Sequence, residues 1–136
     1  MKDKEKRYTI TCNREQLCMI AAAVEDWHRF LAGQCELNNA TSYIEPTEAM
    51  HECRDLLDKK IRPYVVPELA NRYGSSYNWS GSMCKNKYQR KAIAMSYMIY
   101  REILHYLTVE RGVKNCLSSE TLTCDEQGPM IKVETI

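Results

Sequence analysis

The sequence predicts a mainly α domain: three principal helices and a small two-stranded antiparallel ribbon made by the N- and C-terminal segments. Three observations lead there. Apolar positions recur at steps of three and four from Leu17 to Cys35, the clearest periodic signal in the chain. A second long segment, up to Glu110, is apolar on nearly every face between Ala92 and Leu107. Alternating, β-prone stretches occur near both ends, at Tyr8–Thr11 and from Ile131 to Thr135. The 136 residues fit one domain, residues 1–136, with 1–7 charged and expected to fray.

The elements follow in order. Asn13 is placed as an N-cap, with Gln16 three residues on completing a capping box. The first helix is predicted from about Arg14 to Leu37, its stripe drawn by Leu17, Ile20, Ala21, Val24, Trp27, His28, Leu31 and Cys35. Residues 38–45 (NNATSYIE) have the composition of a loop. Pro46-Thr47 opens a second helix to about Arg62, with Met50, Cys53, Leu57 and Ile61 spacing its buried face. Pro63 lacks the N–H that a helix needs, and Pro67 repeats the interruption, so the chain is expected to stop or kink there. Residues 71–84 (NRYGSSYNWSGSMC) form an unusually aromatic loop. The third helix runs from Lys85 or Asn86 to Glu110 and is expected to be buried on several sides, centrally or in an oligomer interface. Gly128-Pro129 is turn-like, and the strand after it finds its simplest partner in Tyr8–Thr11. A two-stranded ribbon is marginal alone, so it should pack on the bundle or pair with another subunit.

Composition excludes several classes. Nineteen Lys+Arg against eighteen Asp+Glu leave a net charge of +1, so bulk polycation binding to DNA or membrane is excluded while a local basic patch is not. The N-terminus has no apolar h-region, and the most apolar run, Ala92 to Tyr100, falls short of the roughly 20 residues of a membrane span. A soluble, cytoplasmic protein is therefore expected, its seven cysteines reduced and mostly acting as small buried hydrophobes. No C-x-x-C pair occurs and His28, His51 and His105 are isolated in sequence, so neither a metal nor a cofactor is expected. There is no GxSxG, HExxH or recognisable Cys–His arrangement, and the protein is read as a non-enzyme.

Two constellations carry chemistry. In the first, Tyr73, Tyr77 and Trp79 stand among Ser and Gly, followed by Lys85, Lys87, Arg90 and Lys91 with no acid between Arg72 and Glu102. Cations at a helix start oppose the macrodipole, which an anion seated there would relieve. Aromatic rings offer stacking faces to a base. The plainer alternative is a Ser/Gly surface loop and a solvated basic face; no specific phosphate-loop pattern is present. In the second, Tyr97, Arg101 and His105 follow at i, i+4, i+8, flanked by Tyr100 and Tyr106. Arg101 then either clamps a phosphate or pairs internally with Asp26 or Glu25. His28 is expected to be a satisfied core histidine. In WHRFLAGQ, Gly33 would allow close approach, while Arg29 and Gln34 have no evident local partner.

The segments WHRFLAGQ (27–34), YMIYREILHYL (97–107) and GPMIKVE (128–134) resemble a loose group of small, uncharacterised helical proteins encoded by phages and by mobile elements of gut bacteria. The corresponding steps here are Gly33-Gln34, Tyr73-Gly74, Tyr97 to His105 and Pro129, with departures in the cysteines and the Ser/Trp loop. Small phage proteins include anti-defence sponges, and the resemblance implies sequestration of a nucleotide immune signal inside a bacterial host cell. The expected partner is thus a phosphorylated, nucleotide-like small molecule, and a homo-oligomer, most simply a dimer, is also expected. The rivals are a protein-interaction module acting on a bacterial protein and a weak single-stranded nucleic-acid binder. No membrane partner is expected.

Overall fold

The computed structural model describes residues 2–69, 80–110 and 131–136. Over these residues the chain forms α1 (Lys2–Glu5), β1 (Tyr8–Thr11), α2 (Arg14–Leu31), α3 (Asn38–Thr41), α4 (Glu48–Val65), α5 (Lys87–Glu110) and β2 (Lys132–Thr135), with short 3-10 turns at Pro67–Leu69 and Gly81–Met83. The mainly α architecture and the terminal ribbon are as the sequence predicts. β1 and β2 pair antiparallel, with Tyr8 opposite Thr135 and Ile10 opposite Val133. Both faces of the ribbon are exposed, so it lies clear of the helices rather than packed on them.

α2 and α5 are the antiparallel spine. Arg14, at the start of α2, reaches Glu110 and the Leu107 carbonyl at the end of α5. At the other end His28 meets Ile93 and Ser96. Between them Ala21, Tyr100 and Leu104 form the apolar core, with Val24 and Ile103 packed against it. α2 starts at the expected capping box: Asn13 accepts from the Gln16 amide at 2.7 Å and its own amide donates to Gln16 Oε1 at 3.0 Å.

α2 ends at Leu31, six residues before the expected boundary. The Gln34 amide donates to the Arg29 carbonyl (2.8 Å) and the Gly33 amide to Phe30 (3.1 Å), the two bonds of a Schellman closure. It requires a left-handed residue, and Gly33 supplies φ +89°. A side chain there would also crowd Leu69, so Gly33 does permit close approach. Arg29 and Gln34 turn out to be each other's partners, at 2.9 Å across that turn. Leu37 is left-handed as well, at φ 54°. It opens α3 inside the segment expected to be loop, and the buried Asp26 carboxylate caps that helix by accepting from the Asn39 and Ala40 amides.

α4 departs most from expectation. Its buried residues are the charged Asp58 and Arg62; Met50, Leu57 and Ile61 are half-buried and Cys53 is exposed. Asp58 and Arg62 form an i,i+4 ion pair. Asp58 accepts from the Cys35 amide at 2.7 Å, and Arg62 Nε donates to the Gly33 carbonyl at 2.8 Å. The pair thus binds α4 to the polar backbone that the end of α2 leaves open. The same contacts hold Arg62 helical although a proline follows, and α4 runs through Pro63 to Val65. Gln89 joins the three long helices: its side-chain amide donates to the carbonyls of Leu31 (2.8 Å) and Val65 (2.9 Å).

Candidate functional site

Tyr73, Tyr77 and Trp79 lie outside the described residues, so the candidate site is built from the residues of α5 and its approach. The helix start is already furnished with acceptors. Asn86 Oδ1 takes the amides of Tyr88 (3.0 Å) and Gln89 (3.1 Å), and the Glu68 carboxylate takes the Lys85 amide at 3.1 Å. Asn86 is a neutral acceptor, whereas Glu68, arriving from the 3-10 turn after α4, supplies negative charge where the local sequence carries none. Arg90 folds back onto the Cys84 carbonyl at 2.7 Å, and Lys87 lies over the Tyr88 ring, 5.2 Å from its centroid. Lys85, Lys87, Arg90 and Lys91 are all exposed. A shallow cavity of about 410 Å³ opens beside Lys85, bordered by Tyr64, Glu68 and Gln89.

The second constellation sits further along α5. Tyr97, Arg101 and His105 share one side of the helix with Met98 and Glu102, and these residues line a cleft of about 710 Å³. That volume lies within the range of small-molecule sites. The Arg101 guanidinium lies over the Tyr97 ring, 5.4 Å from its centroid. The expected alternative for Arg101, a pair with Asp26 or Glu25, is not formed: Asp26 caps α3, and Glu25 receives Arg29 and the Asn39 side chain. Arg101 is exposed, and among the described residues no ion pair engages it. It needs no buried acid because α5 is solvent-facing on this side. Of the two settings expected for this helix, the central one is not found: α5 buries one face, while Met98 is 70% exposed and Tyr106 62%.

Behind the cleft Tyr97 packs on His28 and Tyr100, with ring centroids 5.4 Å and 5.7 Å away. His28 is satisfied through Nδ1, which donates to the Ile93 carbonyl at 2.8 Å; Ser96 Oγ lies 3.3 Å from the same nitrogen. Partial burial lowers its pKa, and the neighbouring Arg29 adds to this. Burial likewise raises the Tyr100 hydroxyl. The ring of Tyr97 is therefore backed by uncharged aromatic groups at neutral pH, and cationic character is confined to the solvent side. Trp27, expected in the buried stripe of α2, is 61% exposed.

The described cations of the first constellation stand apart from the second. Lys91 and Arg101 are ten residues apart, about 15 Å along the axis. No cluster of three or more His, Cys, Asp or Glu able to hold a metal occurs among the described residues. Cys35 is buried, and its thiol is pushed up to about 12 by desolvation and by Asp58, which makes it a poor nucleophile. Sequence reasoning missed Glu68, Asn86 and Gln89, the groups that organise the start of α5; only Asn86, a polar residue just before a helix, left a local signal. No described helix is long and apolar enough to cross a membrane. Comparison with family models, with curated proteins and with solved structures finds no match to this chain.

Proposed function

We propose that the protein binds a phosphorylated, nucleotide-like small molecule without turning it over, and that the Tyr97–Arg101–His105 cleft is its centre. The observation that carries this reading is Arg101: an exposed guanidinium, stacked on Tyr97, that borders a ligand-sized cleft and has no carboxylate partner among the described residues. A guanidinium presents a planar fork of donors suited to phosphate, while an aromatic face suits a base. His105 adds a donor beside it, and Lys87 and Lys91 extend the positive field along α5. Glu102, in the same lining, would repel phosphate from its side and so restrict the anion to the Arg101 edge. Sequestration of a phage-directed immune signal is the biological form this would take, with Tyr73, Tyr77 and Trp79 as further stacking groups.

The test is thermal stability against cyclic di- and trinucleotides, ADP-ribose derivatives and simple nucleotides. A ligand at 100 times its Kd stabilises the fold by about 2.7 kcal/mol, a rise of roughly 10 °C at this size. Arg101→Ala should weaken binding by about 10- to 100-fold, the worth of a charge-assisted hydrogen bond. Recovery of the ligand unchanged separates a sponge from an enzyme. Binding indifferent to Arg101→Ala and Tyr97→Ala removes the cleft from the proposal.

The second reading, a protein-interaction module, draws on the exposed Met98, Tyr106 and Val109. Such apolar and aromatic groups anchor interfaces. A flat ligand panel together with specific capture of one bacterial protein would favour it.

A further inference from the structure

On α5 the residues Tyr88, Lys91, Met95, Met98, Glu102 and His105 follow at steps of three, four, three, four and three, the spacing of a coiled-coil seam. All six are exposed, with Met95 51% and Met98 70% open to solvent. At 100° per residue this seam lies roughly half a turn away from the face that Ile93, Tyr100, Leu104 and Leu107 bury. A helix already packed on one side therefore carries a second, uncovered seam.

We infer that this seam pairs with its own copy, α5 against α5, antiparallel and in one register. The charges select the arrangement. A parallel pair would set Lys91 against Lys91 of the partner subunit and Glu102 against Glu102 of the partner subunit. An antiparallel pair with Met95 opposite Met98 of the partner subunit places Lys91 opposite Glu102 of the partner subunit and Tyr88 opposite His105 of the partner subunit. The two-fold repeats every layer, so each dimer holds two Met–Met layers, two Lys–Glu layers and two Tyr–His layers. A slip of one heptad would set Lys91 against the partner's Val109 and Glu102 against the partner's Met98, leaving both charges against apolar groups. Only the first register matches apolar to apolar and cation to acid, and the helix dipoles oppose as well. Met98, Glu102 and His105 belong both to this seam and to the cleft lining, so in the dimer the partner helix covers that part of the cleft, and Tyr97 and Arg101 stay at its open edge. The pairing itself requires no ligand.

The experiment is sedimentation equilibrium of the whole chain, without ligand, for the parent, Lys91→Glu, Glu102→Lys and the double reversal. Helical content by circular dichroism checks that each variant folds, which exposed positions favour. The parent should be a dimer. Each single reversal turns two attractive layers into repulsive ones and should weaken dimerisation by about ten-fold or more. The double variant restores the match and should recover the dimer. A parent monomeric at about 100 μM, roughly 10⁵ times a nanomolar Kd, overturns the inference. So does a dimer that both single reversals leave intact, or a double variant no tighter than the singles. Loss of nucleotide binding with the dimer retained would count against the proposed function alone.

Discussion

Replacing Arg62 by leucine isolates the contact that holds α4 to the end of α2. The side chains of Arg62 and Asp58 are only 7% and 10% exposed, so the change leaves a buried carboxylate without this guanidinium. It also strips the Gly33 carbonyl of its 2.8 Å donor. Breaking one member of a buried pair typically costs about 3–5 kcal/mol, out of about 5–15 kcal/mol for a whole domain. With a urea slope of about 1–3 kcal/mol per molar, the unfolding midpoint should fall by roughly 2 M. The charge, rather than the lost packing, is the larger part of this cost. Adding Asp58→Asn to Arg62→Leu should therefore recover part of the loss, because asparagine still accepts from the Cys35 amide at the 2.7 Å site but carries no charge. Urea unfolding followed by circular dichroism reads all three variants. A loss under about 1 kcal/mol for Arg62→Leu, or a further loss on adding Asp58→Asn, would refute the reasoning.

Three further outcomes are expected. Gly33→Ala should cost about 1–2 kcal/mol through its left-handed backbone alone, and the new Cβ, 3.1 Å from Leu69 Cδ1, adds to that; thermal unfolding measures it. The lowered pKa of His28 means that the native state holds fewer protons than the unfolded chain just below the ordinary value of 6.5. Stability should therefore fall as pH drops through 6.5 and level off below the native value, and His28→Asn should flatten that slope in a urea series. Maleimide labelling read by peptide mass should modify exposed Cys53 in the native state and reach Cys18, Cys35 and Cys84 only on unfolding. Rapid native labelling of Cys35 would contradict its burial.

Local chemistry made much of this fold legible. The capping box at Asn13 and Gln16 and the alternation at both ends needed only neighbours in sequence, and both stand where read. The apolar stripe of α2 misplaced its end because Cys35 is buried for another reason: it lies under α4, past the turn at Gly33. Apolar spacing in α4 pointed to Met50, Cys53, Leu57 and Ile61, whereas the helix docks through a charged pair whose partners lie 23 and 29 residues away. Periodicity has no means of showing that. In the candidate site, the shared side of Tyr97, Arg101 and His105 was legible as helical spacing. The occupied state of the α5 start was not, because Glu68 comes from a different element.

The capping of α3 from Asp26 has a consequence for how the fold opens. A four-residue helix begun by a left-handed leucine has no independent stability, since nucleation alone outweighs so few bonds. Its first amides are held by one carboxylate, Asp26, about one and a half turns from the end of α2, and the Asn39 side chain is held by Ala22 and Glu25 on that same helix. Fraying of α2 as far back as Ala22 therefore releases α3 at once, and α3 has no route to melt piecemeal. In hydrogen exchange the Asn39 and Ala40 amides should be as slow as the interior of α2, so residues 22–41 open as one cooperative unit although the chain reverses in the middle of it.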